Sequence, residues 1–132
     1  MSPGYQRVKV QGVGNRFYRC IGCILINFED HWNLVKQCIL GYAQEFCALR
    51  RRRKFDLDVS ETWQQALQRQ ARQSAEADDL VIRATASYLN MNIAVATAKG
   101  VVHYDANSFP SWIYLDHTSW GLFDVLRPPV VP

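Results

Sequence analysis

The run from Trp32 to Leu49 constrains this chain most. Trp32, Val35, Ile39, Tyr42, Phe46 and Leu49 recur at intervals of three and four residues, the repeat that lays side chains along one face of an α-helix. A helix of about five turns with an unbroken apolar stripe has to be covered by a second layer, so a packed globular fold follows. Glu29 and Asp30 precede the run as candidate N-cap residues. His31 is expected to fix the helix start rather than do chemistry.

The flanking segments supply the cover. Gly12 and Gly14 break a short extended lead-in at residues 5–10, in which Val8 and Val10 share a face. From Asn15 onward Phe17, Ile21, Ile24, Leu25 and Phe28 follow helical spacing, which predicts a buried helix entered through a glycine turn. Ser60 reads as the N-cap of a third helix carrying Trp63, Ala66, Leu67 and Ala71. Asp78 and Asp79 introduce a fourth with Val81, Ala84, Thr85 and Tyr88 on one side, ended by Asn90 and Asn92. Strand signals follow at 93–97, at 101–104 after a Lys99-Gly100 turn, at 112–115 and at 122–126. The order, helices first and strands last, predicts an α+β fold with a small sheet flanked by helices. One domain is expected over residues 1–132, with a core at about 5–127. Residues 128–132 form a proline-rich, flexible tail with the look of a truncation boundary.

Charge narrows the function classes. Arg50, Arg51, Arg52, Arg53 and Lys54 form one block; outside it, ten basic residues face twelve acidic ones, so the net charge of +3 is local. A nucleic-acid-binding face needs cations spread over a surface. The block itself reads as a solvated helix end, as a nuclear import signal, or as a phosphate-contacting patch. The longest apolar stretch, 20–28, is interrupted by Asn27 and is too short to span a bilayer. Four cysteines are few for a disulfide scaffold, and the start lacks an apolar signal segment. The expectation is an intracellular protein, cytoplasmic or nuclear, with no membrane partner and no cofactor. Cys20 and Cys23 have the spacing of a metal or redox pair, but Cys38 and Cys47 form no second pair, so buried structural thiols are expected and no metal site.

Gly14-Asn-Arg-Phe-Tyr-Arg19 resembles the Asp-Gly-Asn-Cys-Phe-(aromatic)-Arg signature of the ovarian tumour (OTU) family of cysteine deubiquitinases. The run Asp79 to Leu89 with the strand at 93–95 is similar to that family's later helix and central strand, and Leu122-Phe-Asp-Val-Leu126 to its closing strand, where the family has His-Tyr-Asp or His-Tyr-Asn. The resemblance extends over residues 5–127 and implies an OTU-like fold of the papain-like cysteine protease type. It also implies lost chemistry. The nucleophile's position holds Arg16, the base's position holds Leu122, and the opening Asp is Val13; only Asp124, matching the residue that orients the base, is retained. A guanidinium stays protonated and cannot attack a carbonyl, and a leucine accepts no proton.

No catalytic residues are therefore expected. The leading expectation is a pseudoenzyme scaffold that contacts another protein, with ubiquitin as a candidate, through Arg16, Trp120, Asp124, Arg51, Arg52 and Arg53. Two alternatives stand beside it: a thiol deubiquitinase with displaced residues such as Cys20 and His117, and a nucleic-acid accessory module built on the basic block. Arg16, repelled by the helix dipole, is expected to lean on Asp124. Replacing Arg51, Arg52 and Arg53 with Gln should shift the melting temperature by only a few degrees, since each exposed charge at a helix end contributes ~0.3–1 kcal/mol, while altering localisation or partner binding. Complete loss of folded protein would contradict the exposed placement.

Overall fold

The computed structural model describes residues 4–10, 15–49, 62–72, 77–104, 108–118 and 123–128. The first helix, α1 (Arg16–Ile26), is bounded by two asparagines in the left-handed region, Asn15 (φ 56°) and Asn27 (φ 55°), and the Asn27 N–H closes the last turn on the Gly22 carbonyl. Asparagine enters that region at low cost, so it stops a helix without glycine. The second helix, α2 (Trp32–Leu49), follows a 3₁₀ turn at Glu29–His31 whose His31 ring packs 4.7 Å from Phe28. Helix α3 (Trp63–Gln70) starts at Thr62 rather than Ser60. The Thr62 hydroxyl accepts from the Gln65 N–H at 3.2 Å and the Gln65 side chain accepts from the Thr62 N–H at 2.9 Å, which satisfies two otherwise orphaned donors. Helix α4 (Asp79–Leu89) is capped by Asp78, which accepts from the Val81 N–H at 3.1 Å, and ends at a left-handed Asn90. Asn92 does not end it but opens the next strand.

Five strands form one sheet: β1 (Gln6–Val8), β2 (Asn92–Thr97), β3 (Gly100–Tyr104), β4 (Trp112–His117) and β5 (Asp124–Arg127), in the spatial order β1-β5-β4-β2-β3. β2 and β4 pair in parallel, and the other pairs are antiparallel. Buried Asn92 holds the crossover between them, donating to the carbonyls of Phe109 (2.7 Å) and Ser111 (3.2 Å) and accepting from the Phe109 N–H. β2, an interior strand between β4 and β3, is buried from Asn92 to Ala96 rather than at alternate residues. β4 runs two residues past the expected 112–115, through Asp116 and His117, because Asp116 pairs with Asp124 across the ladder.

Two clusters make the core. Phe17, Tyr18, Cys20 and Ile21 of α1 pack with Val81 and Ile82 of α4 against Ile93, Val95, Ile113, Leu115, Phe123 and Val125 of the sheet. Leu80 and Ala84 on α4 join Ala43, Phe46 and Cys47 of α2 to Ala66 and Leu67 of α3. Of the expected α2 stripe, Ile39 and Phe46 are buried and Trp32, Val35 and Tyr42 are half-buried. Leu25, Phe28, Ala71 and Tyr88 are exposed, contrary to expectation. Leu25 and Tyr88 line an open groove between α1, α2 and α4, because a periodic pattern defines a face and not how far its cover extends. Among the described helices none is long and apolar enough to cross a membrane. Ser60, Trp120, Leu122 and residues 50–54 lie outside the described residues.

Phe46→Ala should cost ~3–5 kcal/mol in urea unfolding, whereas Leu34→Ala, at a side chain 60% exposed, should stay within ~0.5 kcal/mol. Equal losses would mean that the α2 stripe is not what the fold buries.

Candidate functional site

Arg16 is the first residue of α1, where the helix presents free N–H groups and a partial positive charge. A cation there needs an acid. The chain supplies one from β5: Arg16 Nη2 lies 2.5 Å from Asp124 Oδ1, and Arg16 Nε donates to the Phe123 carbonyl at 3.2 Å. The Arg16 side chain is 11% exposed and that of Asp124 5%. The ion pair expected between Arg16 and Asp124 is present.

The pair belongs to a longer chain of charges. Asp116 and Asp124 sit directly opposite each other on β4 and β5, a placement in which like charges repel. Arg7 of β1 relieves it, pairing through Nη2 with Asp116 Oδ2 and lying 3.6 Å through Nε from Asp124 Oδ2. The backbone N–H of Val10 donates to Asp124 Oδ1 at 3.2 Å, and that of Thr118 to Asp116 Oδ1 at 3.0 Å. The order Asp116, Arg7, Asp124, Arg16 alternates in sign and sums to zero. Such pairing is what makes two buried carboxylates tolerable, since removing one partner strands the other.

Sequence reasoning missed Arg7 and Asp116. Their only signal was an acid and a base on two strands whose pairing the sequence does not specify. It also missed Lys36, a buried lysine on α2 whose ammonium donates to Asn15 Oδ1 at 2.8 Å and to the Arg72 carbonyl at 2.7 Å. Burial holds it below the ordinary lysine range. It ties α2 to the residue that opens α1, where the Asn15 side chain makes no capping hydrogen bond.

The remaining candidates separate. His117 stacks flat on Phe123, ring centroids 3.9 Å apart. Cys20 is fully buried in the α1 core face, Cys23 is half-buried and Cys38 is exposed on α2. Burial, with the Asp78 charge adding to it, pushes the Cys47 thiol up to about 11, so almost none of it is thiolate at neutral pH. His103 lies exposed on β3 against the edge of Trp112. Among the described residues no three His, Cys, Asp or Glu side chains converge on a metal-sized site. Leu122, Trp120, Arg51, Arg52 and Arg53 lie outside the described residues. What the described site does is hold charge. Asp124 has both oxygens engaged and Arg16 has no proton to give up.

No family model matches the sequence, and no curated protein matches it. Solved structures do match over almost the whole chain. The viral OTU domain protease from Taggert virus superposes with a TM-score of 0.76 at 16% identity, covering 97% of this chain and 82% of that one. The OTU domain of OTUD1 gives 0.70 at 19%, with 93% and 85% covered, and the Hazara virus OTU bound to ubiquitin gives 0.69 at 17%, with 96% and 83% covered. The fold is that of OTU domains, an α+β fold as the sequence predicted.

Burial on its own pushes the Asp116 carboxyl up, but the hydrogen bonds from Thr118 and Arg7, with the Arg7 charge, outweigh it and hold the group below its ordinary value of 3.8. A depressed carboxylate stabilises the fold at pH values above its unfolded pKa and loses that contribution as pH falls through the folded one. Urea midpoints should therefore drop as the pH falls below the ordinary carboxylate range, and Asp116→Asn should flatten the drop. An unchanged slope in the variant would show that Asp116 is not held by this network.

Proposed function

We propose that this chain is a non-catalytic binding domain on the OTU fold, which contacts another protein around the old substrate cleft, with ubiquitin as the candidate partner. The observation that carries this reading is the ion pair of Arg16 with Asp124. At the first residue of α1, where a thiol protease of this fold would present its nucleophile, a guanidinium is locked onto the carboxylate that would orient the base. The sequence places Leu122 where that base would stand. Two of the similar structures, the Hazara virus OTU and a further OTU domain, are complexes with ubiquitin, which supports ubiquitin as the first partner to test. Trp120 and the cations Arg51, Arg52 and Arg53 are the side chains proposed to reach the partner.

The displaced-thiol alternative finds little support in the geometry: Cys20 has no exposure, and Cys47 is held far from the thiolate state. The basic block as a nucleic-acid contact has no described structure to argue from.

An electrophilic ubiquitin probe should leave the native chain unmodified at all four cysteines. Loss of either the nucleophile or the base removes a factor on the order of a million in comparable hydrolases, and the two losses do not add. Arg16→Cys alone should stay inert, while Arg16→Cys with Leu122→His should regain slow labelling. Covalent capture of the native chain, mapped to any cysteine by mass spectrometry, overturns the non-catalytic reading. Failure of ubiquitin to bind in a calorimetric titration removes ubiquitin as the partner.

A further inference from the structure

The two edges of the sheet are built differently. At one end of the strand order stands β1, three residues long and carrying Arg7; a short, charged edge is a poor template for another strand. At the other end stands β3, which pairs with β2 residue for residue from Gly100 to Tyr104 without a bulge. Its sequence, Gly-Val-Val-His-Tyr, contains no proline, lysine, arginine or carboxylate. Val101 and Val102 point to opposite faces of the sheet and are 39% and 41% exposed. Among the described residues nothing pairs with the outer edge of this strand.

The hairpin decides which backbone groups that edge offers. Ala98 and Lys99 alone separate Thr97 from Gly100, which oppose each other across the turn, and in a two-residue hairpin the residues flanking the loop form a hydrogen-bonded pair. The alternation of an antiparallel ladder then turns the N–H and C=O of Gly100, Val102 and Tyr104 toward β2, and those of Val101 and His103 outward. This outward set is complementary to itself. When a second β3 is laid antiparallel with Val102 on a two-fold axis, Val101 of each copy meets His103 of the other, and every outward N–H and C=O of the two strands finds a partner.

The side chains select the same register. Val102 lies opposite its counterpart, a β-branched pair, and Tyr104 lies opposite Gly100, which has no side chain to obstruct it. In the sequence Lys99 and Asp105 stand at equal distances from Val102 with opposite charge, so two-fold symmetry about Val102 sets unlike charges against each other at both ends. Asp105 itself lies outside the described residues. Parallel pairing would set lysine beside lysine. A foreign strand would have to supply this charge pattern, whereas a second copy already carries it.

We propose that two copies of this chain associate through their β3 strands, paired antiparallel about a two-fold axis at Val102, so that the two sheets continue as one. The Arg16–Asp124 pair, on the far side of β2 and β4 from β3, stays free in such a dimer. The interface goes beyond the function proposed above.

Sedimentation equilibrium of the whole chain over about 5–500 µM tests it, a range suited to a weak dimer because one strand pair buries less than a standard interface. The chain should pass from monomer to dimer. His103→Pro removes an outward N–H and no bond to β2, so it should melt within a few degrees of the wild type and stay monomeric. Should that variant fail to fold, Val101→Lys places a charge on the same edge and should also stay monomeric. Lys99→Glu or Asp105→Lys alone should weaken dimerisation about tenfold, and the two together should restore it. In hydrogen exchange the amides of Val101 and His103 should gain protection as concentration rises, while those of Val102 and Tyr104 stay protected throughout. A chain that remains monomeric at the highest concentration overturns the proposal. So does a dimer that survives the edge variants, that the double charge reversal does not restore, or that Leu34→Glu on the exposed face of α2 abolishes.

Discussion

The carboxylate of Asp124 is the joint on which the site depends. One oxygen takes Arg16 from the start of α1 and the N–H of Val10, and the other faces Arg7 of β1. Through Arg7 the joint extends to Asp116, its opposite number on the neighbouring strand. Four elements are held at one point by residues more than a hundred positions apart in the chain. The arrangement is tolerable in a buried setting only because the charges alternate, and each partner removed leaves a charge without compensation. It also accounts for the hold on β1, an edge strand of three residues with little apolar surface of its own to bury.

The same joint bears on chemistry. The fold places the first residue of a buried helix beside the start of the last strand, a geometry suited to a nucleophile and the group that organises its base. Here the two positions carry opposite charges that pair, so their closeness serves cohesion. On the reading proposed above, the fold was kept while the reactive pair was exchanged for a structural one. Beside it, the Lys36 contact to Asn15 holds the entrance of α1 from the other side, so the helix start is braced by α2 as well as by the sheet.

Much of the architecture was legible in local pattern. The spacings of Ile39 and Phe46, of Phe17 and Ile21, and of Val81 and Ala84 place each on a buried helix face, and each is buried. Boundaries were less legible. Asn15, Asn27 and Asn90 all mark helix ends in the left-handed region, yet Asn92 does not; its side chain is taken up by the carbonyls of Phe109 and Ser111. Thr62 caps α3 because Gln65 answers it three residues on, a pairing present in the sequence and passed over for Ser60. Asp116 lies past the strand signal at 112–115, and the salt link that holds it in β4 comes from Arg7, near the other end of the chain.

By itself the sequence determined what depends on residue type and short spacing: four amphipathic helices, the α+β order, and a permanent cation at the residue that opens the first helix, since a guanidinium stays protonated in any fold. The tertiary structure alone decided which charges meet and how far each apolar face is covered. Those outcomes rest on through-space distance between segments far apart in the chain, and electrostatic and packing energies are functions of that distance, not of sequence separation.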